Sequence, residues 1–146
     1  MSWDKLVKLA GAAAGLFGQW DAALTVLAAM MAADYLSGVA VAACGRSPKT
    51  EAGGLSSKAG FIGLAKKGFE LLIVLLAALL DRAAGGEAMM FRTAATCYYI
   101  ANEGLSVIEN AALMGVPVPK KLRGALEAMK ERDAGEEKTA GIHQDD

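Results

Sequence analysis

Cysteine and histidine are almost missing: Cys44 and Cys97 are the two cysteines and His143 is the one histidine in 146 residues. So few ligand-type residues, with the cysteines far apart, point to neither a disulfide framework nor a zinc site. Both cysteines fall in apolar stretches and are expected as small core residues. Proline is confined to Pro48, Pro117 and Pro119, so the long segments between them are free of the residue that most disrupts a helix interior. A phosphate-binding GxxxxGK[ST] loop, a Gly-x-Ser-x-Gly elbow and a metal-ligand cluster are all lacking, and the expectation is no enzyme and no cofactor. The net charge is −1 and no basic stripe is concentrated anywhere, which argues against nucleic acid.

What the chain has in excess is apolar surface. Hydrophobic residues make up 54% of it and the mean hydropathy is +0.33, above ordinary soluble composition. Much of the excess is alanine, which a soluble helix also favours, so placement along the chain has to decide between a soluble bundle and a membrane protein. Leu6 to Phe17 is too short to cross about 30 Å of hydrocarbon. It reads as a retained interfacial helix rather than a cleaved leader, because more apolar segments follow it. Gly11 and Gly15 make a GxxxG spacing, a weak signal in a Gly/Ala-rich stretch.

Three longer segments follow. Ala22 to Cys44 carries one charge, Asp34, and is preceded by Trp20, which suits a first crossing. Its small residues Ala28, Ala32, Gly38 and Ala42 predict a smooth packing face. Gly45 to Gly68 reads as a basic loop holding Arg46, Lys49, Lys58, Lys66 and Lys67. Leu71 to Leu80 is short alone, but a helix from Phe61 to Asp81 is long enough to cross if Lys66 and Lys67 snorkel to the headgroups and Glu70 faces other helices. Ala88 to Gly115 is the third candidate, ended by Pro117 and Pro119. Lys120 to Arg132 has apolar positions at helical spacing among many charges, a short amphipathic helix, and the sequence from Ala134 reads as a disordered polar tail. The expectation is therefore an all-α integral membrane protein with about three transmembrane helices. Its parts are an N-terminal interfacial helix (1–18), a membrane domain (19–116) and a C-terminal helix and tail (117–146). Lys and Arg gather in the loop after the first crossing and at Lys120, Lys121 and Arg123, which places that loop and the tail in the cytoplasm and the Asp81 to Glu87 turn outside.

The most informative stretch is Asn102 to Asn110, NEGLSVIEN. Asn102, Glu103, Ser106, Glu109 and Asn110 fall within roughly a 120° arc when residues advance about 100° around a helix. In water such a stripe simply faces solvent. In a bilayer it must face a partner helix or a wet lumen, because a charge at the centre costs at least about 2.5 kcal/mol. Asp34 and Glu70 each interrupt an apolar run and suggest further polar contacts between helices, with helix ends near headgroups as the alternative for both.

The order Asp34-Tyr35-Leu36-Ser37-Gly38, then Ser56-Ser57-Lys58 with Gly60, Gly63, Lys66 and Lys67, then NEGLSVIEN and Gly115-Val116-Pro117-Val118-Pro119 with Leu122, resembles phage holins of the clostridial toxin-secretion type. The resemblance covers about Leu24 to Met129 and is most specific in its last element. It departs from the usual look in its alanine richness and in the longer tail. It implies a multi-pass protein of the bacterial cytoplasmic membrane. Such a protein associates with copies of itself and opens a lesion that lets an endolysin, or in related systems a toxin, leave the cell. Its partners would be itself, the lipid bilayer and, without necessary direct contact, the endolysin. A soluble or membrane-associated helical interaction protein without lytic activity is the alternative.

Overall fold

The computed structural model describes residues 2–86 and 88–134, which form five α-helices and no strand. They are α1 (Trp3–Leu16), α2 (Ala22–Ala43), α3 (Ser57–Ala83), α4 (Met90–Leu113) and α5 (Lys120–Ala134). The polar tail expected from Ala134 lies, from residue 135 onward, outside the described residues. The largest difference from the predicted bounds is the start of α3, four residues earlier than Phe61. The Ser56 hydroxyl accepts from the Ala59 N–H and caps the helix, so the serines read as loop breakers are a helix start signal.

The inner helices share one pattern. Leu24, Leu27, Met31, Asp34 and Val41 are buried on α2, and Glu70, Val74, Ala77 and Asp81 on α3. On α4 the seam is Arg92, Thr96, Glu103 and Asn110, with half-buried Tyr99 and Ser106 completing it. Steps of three and four residues keep each seam on one helix face, the geometry of interlocking left-handed helix packing. α4 is the hub, packing on α2, α3 and α5, whereas α2 and α3 scarcely touch. α2 and α4 run parallel, since Asp21 meets Arg92 at one end and Asp34 meets Asn110 further along; α3 and α5 run the other way. The small-residue face predicted for α2 divides: Ala28 and Ala32 are exposed and lie off this seam, Ala42 is half-buried, and half-buried Gly38 lies on the seam beside Asn110 of α4. Cys44 is exposed at the end of α2 rather than in a core, and Cys97 is half-buried.

The distribution of polarity is reversed relative to a soluble bundle. Asp34, Glu70, Asp81, Arg92, Glu103 and Asn110 are buried, while Phe61, Ile62, Phe69, Leu72, Leu76 and Leu80 point outward from α3, Phe61 and Phe69 by 72% and 69% of their surface. Contiguous exposed apolar surface of this extent marks contact with lipid or another protein. At about 1.5 Å per residue, Phe61 to Leu80 extends for about 30 Å, the thickness of a hydrocarbon core. By length and composition, α2 alone among the described residues passes as a membrane span. α3 and α4 carry more charges, but Lys67, Glu70, Arg92 and Glu103 are among them and are turned inward.

α1 has no buried residue. Its end is tied to the bundle by Arg82, which donates to the Gly15 carbonyl at 2.6 Å, and by Arg92, which donates to the Phe17 carbonyl at 2.7 Å. Gly11 and Gly15 have open space beside them.

Candidate functional site

Two polar layers lie inside the helix bundle. The first sits toward the end that carries the α2–α3 loop. Lys67 on α3 donates to Asp34 on α2 at 2.6 Å and also to Glu103 on α4. One ammonium thus ties three helices together. Asn110, two turns beyond Glu103, donates from its amide to Ser37 at 2.8 Å and to the Asp34 carboxylate at 3.3 Å. Glu103 keeps 2% of its surface and is among the most buried side chains of the chain. Taking such charges from water costs several kcal/mol each, and the layer is tolerable only because the charges pair and are hydrogen-bonded. Glu70, one turn along α3 from Lys67, is buried with both carboxylate oxygens lacking a hydrogen-bond partner.

A cavity of about 120 Å³ opens beside this layer, between α2, α3, α4 and the loop, and reaches Asp34, Lys67, Glu103 and Asn110 from a rim that includes Lys49 and Ser56. The loop itself is tight. Ser47 N–H donates to the Gly53 carbonyl at 2.9 Å, and Gly53 has φ +73 with no room for a side chain, since a Cβ would run into the Gly45 carbonyl.

The second layer closes the opposite end. Arg92, 4% exposed, donates to the carbonyls of Phe17 and Gln19 and to Asp21 at 2.7, 3.0 and 2.9 Å. Asp21 also caps α2 by accepting from the Leu24 N–H at 3.0 Å. The Arg92 guanidinium, and after it the Leu24 amide, holds the Asp21 carboxyl below its usual value. α4 begins after Met89, which has a positive φ and no capping side chain of its own. Asp81 on α3 supplies the cap instead, accepting from Phe91 N–H at 3.0 Å and Arg92 N–H at 2.9 Å. That satisfies two amides that a helix start otherwise leaves unpaired.

The stripe predicted at Asn102 to Asn110 divides. Glu103, Ser106 and Asn110 enter the inner seam, Asn102 accepts from Lys130 of α5 at 2.9 Å, and Glu109 is exposed. Positions 102 and 109 share a helix face roughly 80° from the centre of that of 103, 106 and 110. Asp34 and Glu70 are both buried in the first layer. The basic set needs correction: Arg46 and Lys49 lie in the loop, but Lys58, Lys66 and Lys67 lie on α3. Lys67 does not reach for headgroups, because two carboxylates inside the bundle attract it more strongly than water does at the rim. Arg46 donates to the Leu113 carbonyl at 3.3 Å, at the end of α4. Sequence reasoning missed Asp21, Asp81 and Arg92 as a unit. The signal was the spacing of Arg92, Thr96, Tyr99, Glu103, Ser106 and Asn110, a sustained three-four repeat of polar residues.

Such an arrangement pairs buried charges within a largely apolar exterior. Among the described residues no group of three or more His, Cys, Asp or Glu is placed to hold a metal ion. The family model of the bacteriophage holins matches residues 11–131. The chain belongs to the bacteriophage holin family. The match begins before the stretch from Leu24 on which the resemblance was drawn and includes both polar layers and all of the loop. This holin-family chain is 40% identical over 117 residues to a 14.9 kDa protein of Clostridium perfringens, covering 80% of the chain and 83% of that protein. It is 34% identical over 135 residues to a protein of Halalkalibacterium halodurans, covering 89% and 93%. A probable holin of Bacillus phage phi105 is 32% identical over 76 residues, 52% of this chain and 56% of its own length. No solved structure matches the chain with significance.

Proposed function

We propose that this holin-family chain crosses the bacterial cytoplasmic membrane with α2, α3 and α4, associates with copies of itself and opens a lesion through which an endolysin reaches the cell wall. The observation that carries the reading is the reversed polarity: charged seams buried, and an apolar face about 30 Å long turned outward. Arg46, Lys49 and Lys58 at the loop end, together with Lys120, Lys121 and Arg123 at the start of α5, put that end in the cytoplasm. α1, apolar and unburied, lies in the interface at the outer end. In this reading Asn102, Glu103, Ser106, Glu109 and Asn110 line contacts between copies or the lumen. Glu103 is buried in the single chain, reached only through the narrow loop-end cavity, and becomes broadly exposed to water when copies part and reassemble, so that the wet state is favoured in the assembly.

One observation favours a second reading, a membrane-associated helical protein without lytic activity. α5 carries eight charged side chains in its 15 residues and folds back along α4, with Leu126 against Gly104 and Lys130 on Asn102. If α4 spans the bilayer, α5 must be released from it on insertion. Induced expression separates the two readings. The first expects the chain to stay with membranes through a carbonate wash and to cause potassium efflux and release of a co-expressed endolysin. Retention without efflux would favour the second, and a chain washed off the membrane would overturn the spanning assignment.

A further inference from the structure

The first polar layer holds more acid than base. Asp34 and Glu103 share Lys67, and Glu70, at 5% exposure, stands one turn away with neither oxygen hydrogen-bonded. The groups facing Glu70 are Lys66 and Lys67 on its own helix and Glu103 and Tyr99 on α4, with Asp34 of α2 on the far side of Lys67. Lys66 is exposed and lines the cavity, where water screens its charge, and Lys67 is already taken by two carboxylates. A third buried anion beside Glu103 would stand without a counter-charge, a cost of several kcal/mol that binding a proton removes.

We propose that Glu70 is a proton-binding site, loaded with one exchangeable proton from the loop-end cavity by way of Glu103. The cavity reaches Lys67 and Glu103 but not Glu70, which puts Glu103 between the site and water. Beyond Glu70 the bundle interior is apolar: Leu24, Leu27, Met31 and Val74 form the hydrophobic cluster between the two polar layers, which offers a proton no polar path. Access is therefore from one end only. The proton needs no further reactant, since the Glu70 carboxylate takes it from hydronium in the cavity, leaving water and a carboxylic acid, and release to water restores the carboxylate. Loading leaves Lys67 facing two carboxylates instead of three, and unloading leaves an unpaired anion that weakens the packing of α3 on α4. The identity of the end that faces the cytoplasm rests on the membrane reading above; the site itself does not.

Infrared spectra of the full chain in bilayers, with carbon-13-labelled glutamate, test it. At neutral pH the wild type should carry one neutral carboxylic-acid carbonyl band that Glu70→Gln loses and Glu127→Gln, on the exposed face of α5, keeps. Glutamine mimics the protonated acid, so Glu70→Gln should retain its helix content. If it does not, Glu70→Asp should move the band rather than abolish it. In vesicles of uniform orientation, raising the pH at the loop end alone should bleach the band. Wild type and Glu70→Gln with the same spectrum, or Glu70→Asp with an unmoved band, would overturn the site. Bleaching from either side alike would overturn the one-ended route. A chain showing the band but causing no efflux in cells would sink the lytic reading and leave the proton site standing.

Discussion

The two polar layers solve the same problem in opposite ways. At the loop end, side chains from three helices bind one another: Lys67 with Asp34 and Glu103. Every charge there depends on the others, and little of the layer is backbone. At the far end, Arg92 and Asp81 bind mainly main-chain groups, the carbonyls of Phe17 and Gln19 and the amides that open α4. Their one ionic partner, Asp21, keeps 47% of its side-chain surface. The first layer therefore couples helices to one another, and the second fixes where helices begin and holds α1 to the bundle. Loss of Lys67 leaves uncompensated charges inside; loss of Arg92 leaves Asp21, which water can reach.

That contrast breaks most sharply at Lys67. Lys67→Met should destabilise the chain by about 3–5 kcal/mol by stranding two carboxylates, and the triple variant Asp34→Asn, Lys67→Met, Glu103→Gln should recover most of it, both read by thermal unfolding in detergent. Equal stability of the single and triple variants would mean that water in the cavity screens the layer, and the two layers would not differ in kind. Arg92→Leu should cost less, about 1–3 kcal/mol, since Asp21 rehydrates and the loss is chiefly of hydrogen bonds. It should also release α1, seen as new proteolytic cleavage near Phe17 to Trp20. Asp81→Ala should cost about 0.5–2 kcal/mol, the usual worth of a helix cap, with slower hydrogen–deuterium exchange elsewhere unchanged but faster exchange at Phe91 and Arg92. The smallest effect is with pH. Because Asp21 is depressed in the folded chain, its contribution is complete above the ordinary aspartate value and fades as pH falls below it toward the folded value. Given its exposure, the loss should stay under about 1 kcal/mol. Fluorescence of Trp20, whose indole N–H donates to Thr25 at 2.9 Å, should follow it, and Asp21→Asn should flatten the curve.

The sequence by itself was enough for the helices, for the family and for singling out three acids that turn out to be buried. Apolar runs free of proline, punctuated by glycine and by Pro117 and Pro119, leave little besides helix. The acids Asp34, Glu70 and Glu103 stand out because they sit where lipid or core would penalise them. Pairing was not legible. Lys67 read as part of a basic loop because its two partners are 33 and 36 residues away along the chain, and no local pattern encodes which anion a cation will meet. The same is true of Arg92, 71 residues from Asp21. An average over a window counts each charge as if lipid would see it, so α3 and α4 look too polar to cross. Only the packing of α4 between α2 and α3 turns Lys67, Glu70, Asp81, Arg92 and Glu103 inward, because burial is a property of three helices together and not of any one of them.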